Sequence, residues 1–196
     1  QSGGLAAHCV WVSRDDMEGT VRRGVTAVHN PVSNLKLASG AARVPRLLER
    51  GVNVALGTDG VASNNSHDLF EEIKLAALLH KGIGLDPAAV TARQALEMAT
   101  INGARALRRN TGVIAPGKTA DLILVDLAAP NLFPCHDVEE DLVYSARGSN
   151  VVMNMARGRV IYEKGEFFTL DLEKIRAEVE SYALPRIFGS VRGGGA

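Results

Sequence analysis

Three residues in the first third of the chain pair reactive side chains with strand-end positions: His8, His29 and Asp59. Asp59 lies in Thr58-Asp59-Gly60-Val61-Ala62-Ser63-Asn64-Asn65, directly after an apolar run at 52–56. A carboxylate followed by glycine at a strand's end keeps its acceptor oxygens free and allows close approach, which suits metal ligation or general-base work. Ser63 and Asn64 are near enough in sequence to orient it. An ordinary turn aspartate would also read as Asp-Gly, so Asp59 alone does not name a function. His8 lies inside the apolar run 5–10, where a histidine also serves as a plain core residue. His29 opens His29-Asn30-Pro31, which a tight turn would explain equally. Lys36 could bind an anion or stay solvated, and His67, His80 and His136, which lack partner spacing, are expected at the surface.

The elements that must position these groups follow from periodicity. Apolar runs at 5–10, 25–28 and 52–56 predict three strands, and the intervening segments predict helices, giving βαβαβ. Ser13 with Asp15 and Asp16 marks a helix start that Gly24 ends, and residues 44–51 read as a helix closed by Gly51. Such units build parallel sheets, whose chemistry collects at the carboxyl ends of the strands. Ser66 is expected to cap a helix over 69–80, with further helical turns from Asp86 and Thr91 through 99 and over 102–107. The texture changes at Thr111. Strands are predicted over 120–126, 142–146 and 151–162, with turns at Arg157-Gly158-Arg159 and Lys164-Gly165, a terminal helix over 172–182 and a disordered tail at 193–196. The predicted division is an α/β part over 1–110 and a small β part over 111–196.

Composition narrows the function classes. The 196 residues carry 22 basic and 22 acidic side chains, 46% are hydrophobic, and five are histidines. The balance offers no basic stripe for nucleic acid and no polybasic helix for a membrane surface. Apolar runs are too short to span a bilayer, and no signal-peptide pattern opens the chain. Two cysteines, Cys9 and Cys135, supply neither a disulfide framework nor a metal knuckle, so a reducing cytoplasm is expected. The chain opens with Gln1 and enters a strand almost at once, which reads as the continuation of a longer protein.

Three motifs in order then resemble one family: Ala7-His8-Cys9-Val10; Val28-His29-Asn30-Pro31-Val32-Ser33-Asn34-Leu35-Lys36-Leu37-Ala38-Ser39-Gly40; and Leu56-Gly57-Thr58-Asp59-Gly60 with Ser63-Asn64-Asn65. They resemble the amidohydrolase superfamily, in the branch of 5-methylthioadenosine/S-adenosylhomocysteine deaminases. Thr111-Gly112 through Ala120-Asp121-Leu122 and Met155-Ala156-Arg157-Gly158-Arg159-Val160 are similar to that family's C-terminal β-sandwich passages. The resemblance runs to about Tyr182. It implies the C-terminal part of a metal-dependent (β/α)8 barrel, strands six to eight, followed by part of a small β-sandwich and a C-terminal helix. It further implies one divalent metal, zinc, with Asp59 as ligand and proton-exchanging group and His8 as the second metal-site and catalytic residue. His29 would lie at the rim beside the substrate, and Ser63 would lie on the substrate side while helping to hold Asp59.

The family's first-strand His-x-His and its fifth-strand histidine should precede His8, and only seven residues do. A catalytic zinc takes about three protein ligands and one open position. A full barrel takes about 250 residues, roughly twice the α/β part here. The resemblance therefore implies a hydrolytic deaminase of adenosine-type nucleosides that these residues do not complete alone. Two other readings stay open: a chlorohydrolase or guanine-type deaminase with the same metal site, and a non-catalytic fragment that needs its missing half. The implied partners are a nucleoside or heterocyclic amine and either a second copy or the absent N-terminal half, with no nucleic acid and no membrane.

Overall fold

The computed structural model describes residues 3–189. Strands β1 (Leu5–Ala7), β2 (Thr26–His29) and β3 (Val54–Leu56) form a sheet in sequence order, with both pairings parallel. The register sets Ala7 beside Val28 and His29 beside Leu56, so the three carboxyl ends leave the sheet on one side. β1 is shorter than the predicted run. His8 and Cys9 take left-handed backbone at φ 65° and 47°, which turns the chain out of the strand, although the His8 N–H still donates to Val28 O at 2.9 Å. His8 thus follows the strand rather than lying inside it.

Helix α1 (Arg14–Arg23) joins β1 to β2. Its cap is the predicted one: Ser13 and Asp16 form a reciprocal capping box, and Gly24 ends it at φ 62°. Between β2 and β3 the structure has two helices where one was predicted, α2 (Pro31–Lys36) and α3 (Val44–Glu49). Pro31 stands at the first helical position, where its fixed φ helps and its missing N–H costs nothing, so the His-Asn-Pro run opens a helix rather than only a turn. Then follow α4 (Val61–Asn64), α5 (Leu69–Gly84), α6 (Ala92–Ala99) and α7 (Ile101–Ala106). Asp68, not Ser66, caps α5: its carboxylate accepts from Phe70 N, while Ser66 Oγ accepts from Asp68 N.

The segment 142–146 departs from its predicted strand and lies mostly within α8 (Val138–Tyr144). Asp137 caps this helix, and Glu139, Glu140 and Asp141 fill its first turn, where the helix dipole favours negative charge. α8 packs on α5 and α6. Val143 shares one core with Val44, Val54, Ala76, Ala95 and Met98, all at 0% exposure. A helix from beyond residue 111 therefore closes the core of the parallel sheet.

The second sheet is antiparallel, in the order β4 (Leu122–Val125), β5 (Val151–Ala156), β6 (Arg159–Glu163), β7 (Glu166–Phe167). Its two tight turns hold Arg157-Gly158 and Lys164-Gly165, each pair at positive φ, the pattern whose twist matches a hairpin. The terminal helix runs as α9 (Leu172–Glu178), a π-helical turn (Val179–Ala183) and α10 (Leu184–Phe188). The predicted tail at 193–196 lies outside the described residues. Among the described residues no helix is long and apolar enough to cross a membrane.

Candidate active site

Asp59 and His8 meet above the carboxyl ends of β1 and β3. Asp59 takes φ 63°, a left-handed conformation that a non-glycine residue holds only when its surroundings enforce it. The enforcing contacts are short. Ser33 Oγ donates to Asp59 Oδ2 at 2.7 Å, and Gly60 N–H donates to Oδ1 at 2.8 Å. The Ser33 hydrogen bond first, and the Gly60 N–H second, hold the Asp59 carboxyl below the ordinary carboxylate range; Ser63 and then His8 add lesser pulls the same way. The carboxylate is thus kept ionised and aimed.

His8 Nε2 lies 4.0 Å from Asp59 Oδ2, and Nδ1 lies 2.9 Å from Asn34 Oδ1. One helix therefore serves both site residues, since Ser33 and Asn34 are neighbours on α2. Asn34 Oδ1 accepts from Nδ1–H in this arrangement, which turns Nε2 toward Asp59. Lys36, at the last turn of α2, is exposed. Its Nζ donates to Ala62 O at 3.1 Å and to Asn65 Oδ1, clamping the far end of the loop that carries Asp59.

His29 closes β2. It is 1% exposed, and its Nε2 sits 3.3 Å from His80 Nε2, with ring centroids 5.2 Å apart. His80, expected at the surface, is 5% exposed because α5 turns it inward on the same face as Ile73, Ala76 and Ala77. Burial lowers the His29 pKa to about 3, helped by the neighbouring His80, and burial lowers His80 to about 4. Both rings are neutral at pH 7.

Ser33 and Asn34 carry no role in the sequence reading, which places His80 at the surface. Ser33 and Asn34 stand in the motif string itself, and Pro31 was the signal that a helix would bring them under both site residues. Ser63, expected to hold Asp59, contributes less than Ser33.

A carboxylate and an imidazole are suitable donors for a borderline divalent cation, and both lie at this site. They make two donors. Among the described residues no group of three or more His, Cys, Asp and Glu side chains is arranged to hold a metal ion. Asp59 and His8 fit as part of such a site and do not complete one.

A family model described as the amidohydrolase family matches residues 2–161. The 5'-deoxyadenosine deaminase of Methanosarcina mazei is 52% identical over 179 residues, 91% of this chain and 41% of that protein. The 5-methylthioadenosine/S-adenosylhomocysteine deaminase of Dictyoglomus thermophilum is 52% identical over 184 residues, 93% of this chain and 43% of that protein. The chain thus spans about two fifths of the length of these curated relatives. Among solved structures, a zinc-bound adenosine deaminase from Xanthomonas campestris matches with a TM-score of 0.87 at 38% identity, over 91% of this chain and 41% of that one. A zinc complex of atrazine chlorohydrolase from Arthrobacter aurescens matches at 0.83 and 29%, over 90% and 40%.

Proposed function

The chain belongs to the amidohydrolase family, and from that premise we propose that it supplies one share of the active site of a metal-dependent hydrolytic deaminase acting on adenosine-type nucleosides. The observation that carries this reading is the Asp59 carboxylate, fixed by Ser33 and Gly60 with the His8 imidazole 4.0 Å away. In this reading β1, β2 and β3 are the sixth, seventh and eighth strands of a (β/α)8 barrel, and Asp59 and His8 are ligands from the last part of the chain.

Asp59 takes a proton from the attacking water and returns one to the departing amine. Its lowered pKa keeps the basic form populated, and the Ser33 bond stops the carboxylate from rotating away. His8 stabilises the charge that develops beside Asp59, its ring held by Asn34. Zinc, bound by these two residues together with donors outside this chain, would polarise the reacting centre and lower the pKa of water. His29 and His80 stay within the wall behind the site. Burying both as neutral rings keeps positive charge away from a place where cationic ligands must settle.

The test is Asp59→Asn in the full-length protein, with ammonia release measured on methylthioadenosine, S-adenosylhomocysteine and 5'-deoxyadenosine. Turnover is expected to vanish on all three; unchanged turnover removes Asp59 from the mechanism. The match to a chlorohydrolase favours a second reading, the same site with chloride as leaving group. Release of chloride from a chlorotriazine, faster than ammonia from any nucleoside, would select it.

A further inference from the structure

Glu72 has no part in the chemistry described above, yet it is 0% exposed on α5. Among the described residues no cationic side chain lies within salt-bridge distance of it. A carboxylate buried without a cation is costly unless hydrogen bonds replace its water, and a methionine or leucine would fill the same space without that cost. A group that breaks the burial rule in this way is one to explain by what it holds.

Both oxygens are occupied, by donors from different segments. Oε2 accepts the Val32 N–H at 3.2 Å, in the first turn of α2. Oε1 accepts from Asn64 Nδ2 at 2.5 Å, and the same amide donates to Thr58 O at 2.7 Å, the carbonyl immediately before Asp59. The residue after Val32 is Ser33, whose hydroxyl holds Asp59, and the next is Asn34, which holds His8. The two segments joined by Glu72 are therefore the two that meet at the Asp59 carboxylate.

We propose that Glu72 is a positioning residue of the deaminase: from α5 it fixes the separation between α2 and the loop 58–65, so that the Ser33 hydroxyl and the Asp59 carboxylate meet at bonding distance. This rests on the deaminase reading of the site. Ser33 can aim Asp59 only while its helix and the loop stay in register. Asp59 itself takes donors from both, Ser33 on α2 and Gly60 in the loop, and Glu72 braces the same two segments from a third element, α5.

Glu72→Gln in the full-length protein retains the shape but offers one acceptor oxygen, so one of the two donors meets an NH2 group. With methylthioadenosine as substrate, kcat is expected to fall at least about tenfold while KM stays within about twofold, as for loss of an interaction that matters in the transition state. Hydrogen exchange at the Gly60 amide should quicken in parallel. Ile73→Val, a core change one residue along the same helix, serves as the control matched for loss of melting temperature. Unchanged kcat in Glu72→Gln overturns the proposal, and so does an equal fall in Ile73→Val. Should Glu72→Gln not fold, Asn64→Ser cuts the same link from the loop side, and full kcat there overturns it too. Asp59→Asn keeps the two ideas apart. If that variant still turns over, the deaminase reading fails; if it is dead while Glu72→Gln is fully active, only the role given to Glu72 fails.

Discussion

The bond between Ser33 and Asp59 sets the character of the site at the scale of single residues. A non-glycine residue in the left-handed region costs about 1–2 kcal/mol, and Asp59 bears that cost to present its carboxylate beside His8. Ser33→Ala removes the largest influence on the Asp59 pKa. The carboxyl should titrate closer to its ordinary value, and kcat should fall by roughly tenfold, the effect of losing one hydrogen bond to a charged group. A pH–rate profile with its acid limb moved upward is the measurement. The histidine pair gives a second prediction. Both folded pKa values, about 3 and about 4, lie below the unfolded value near 6.5, so the unfolded chain takes up protons first as pH falls. Stability from this pair is complete above about pH 6.5 and is lost on descent toward 4, approaching about 2.7 kcal/mol per pH unit. His80→Leu should lose about half of that slope in denaturant melts taken between pH 4.5 and 7. Asp59 and His8 were legible because their strands end in recognisable motifs. Ser33 and His80 were not, since each owes its place to a helix face that only packing assigns.

Element boundaries followed local chemistry where a cap was unambiguous. Ser13 with Asp16 and the Arg157-Gly158 turn each specify their own geometry as expected, and Thr91 opens its helix, where Gln94 completes a capping box. The segment 142–146 was misread because Leu-Val-Tyr suits a strand as readily as a helix, and the deciding acids lie upstream at 139–141. Asp68 shows what a cap can do beyond its own helix. Oδ1 accepts from Phe70 N at 2.9 Å, and Oδ2 accepts from Gly148 N at 2.9 Å, tying α5 to the turn before β5. Asp68→Ala should lose both, at about 1–3 kcal/mol, read as a lower denaturant midpoint with unchanged slope. A side chain at residue 148 would crowd the same carboxylate, whose oxygen lies 3.0 Å from where its Cβ would stand.

At the scale of the molecule, α8 lies beyond residue 111 in sequence yet packs with α5 and α6 in the core of the parallel sheet. The fold class was visible in the alternation of strands and helices, while this shared core was not, because nothing local marks Val143 as its member. Among the described residues the candidate site brings together two possible donors, Asp59 and His8, and no group of three, where a catalytic metal takes about three. Purified as these 196 residues alone, the chain is expected to retain no stoichiometric zinc after dialysis, as measured by elemental analysis alongside denaturing intact mass. One zinc per chain would show that the donors here suffice.

The Gly60 N–H bonded to Asp59 Oδ1 bears on how this protein keeps. An aspartyl–glycyl pair ages when the glycine nitrogen attacks the side-chain carboxyl and expels water, closing a succinimide that reopens mainly as a β-aspartyl linkage. That attack needs a protonated carboxyl and a free nitrogen. Here the nitrogen's hydrogen is engaged, and Ser33 helps to keep the carboxyl ionised. The contacts that prepare Asp59 for proton transfer also preserve it in storage, and Ser33→Ala stocks held at mildly acidic pH should accumulate β-aspartate at residue 59 ahead of the parent.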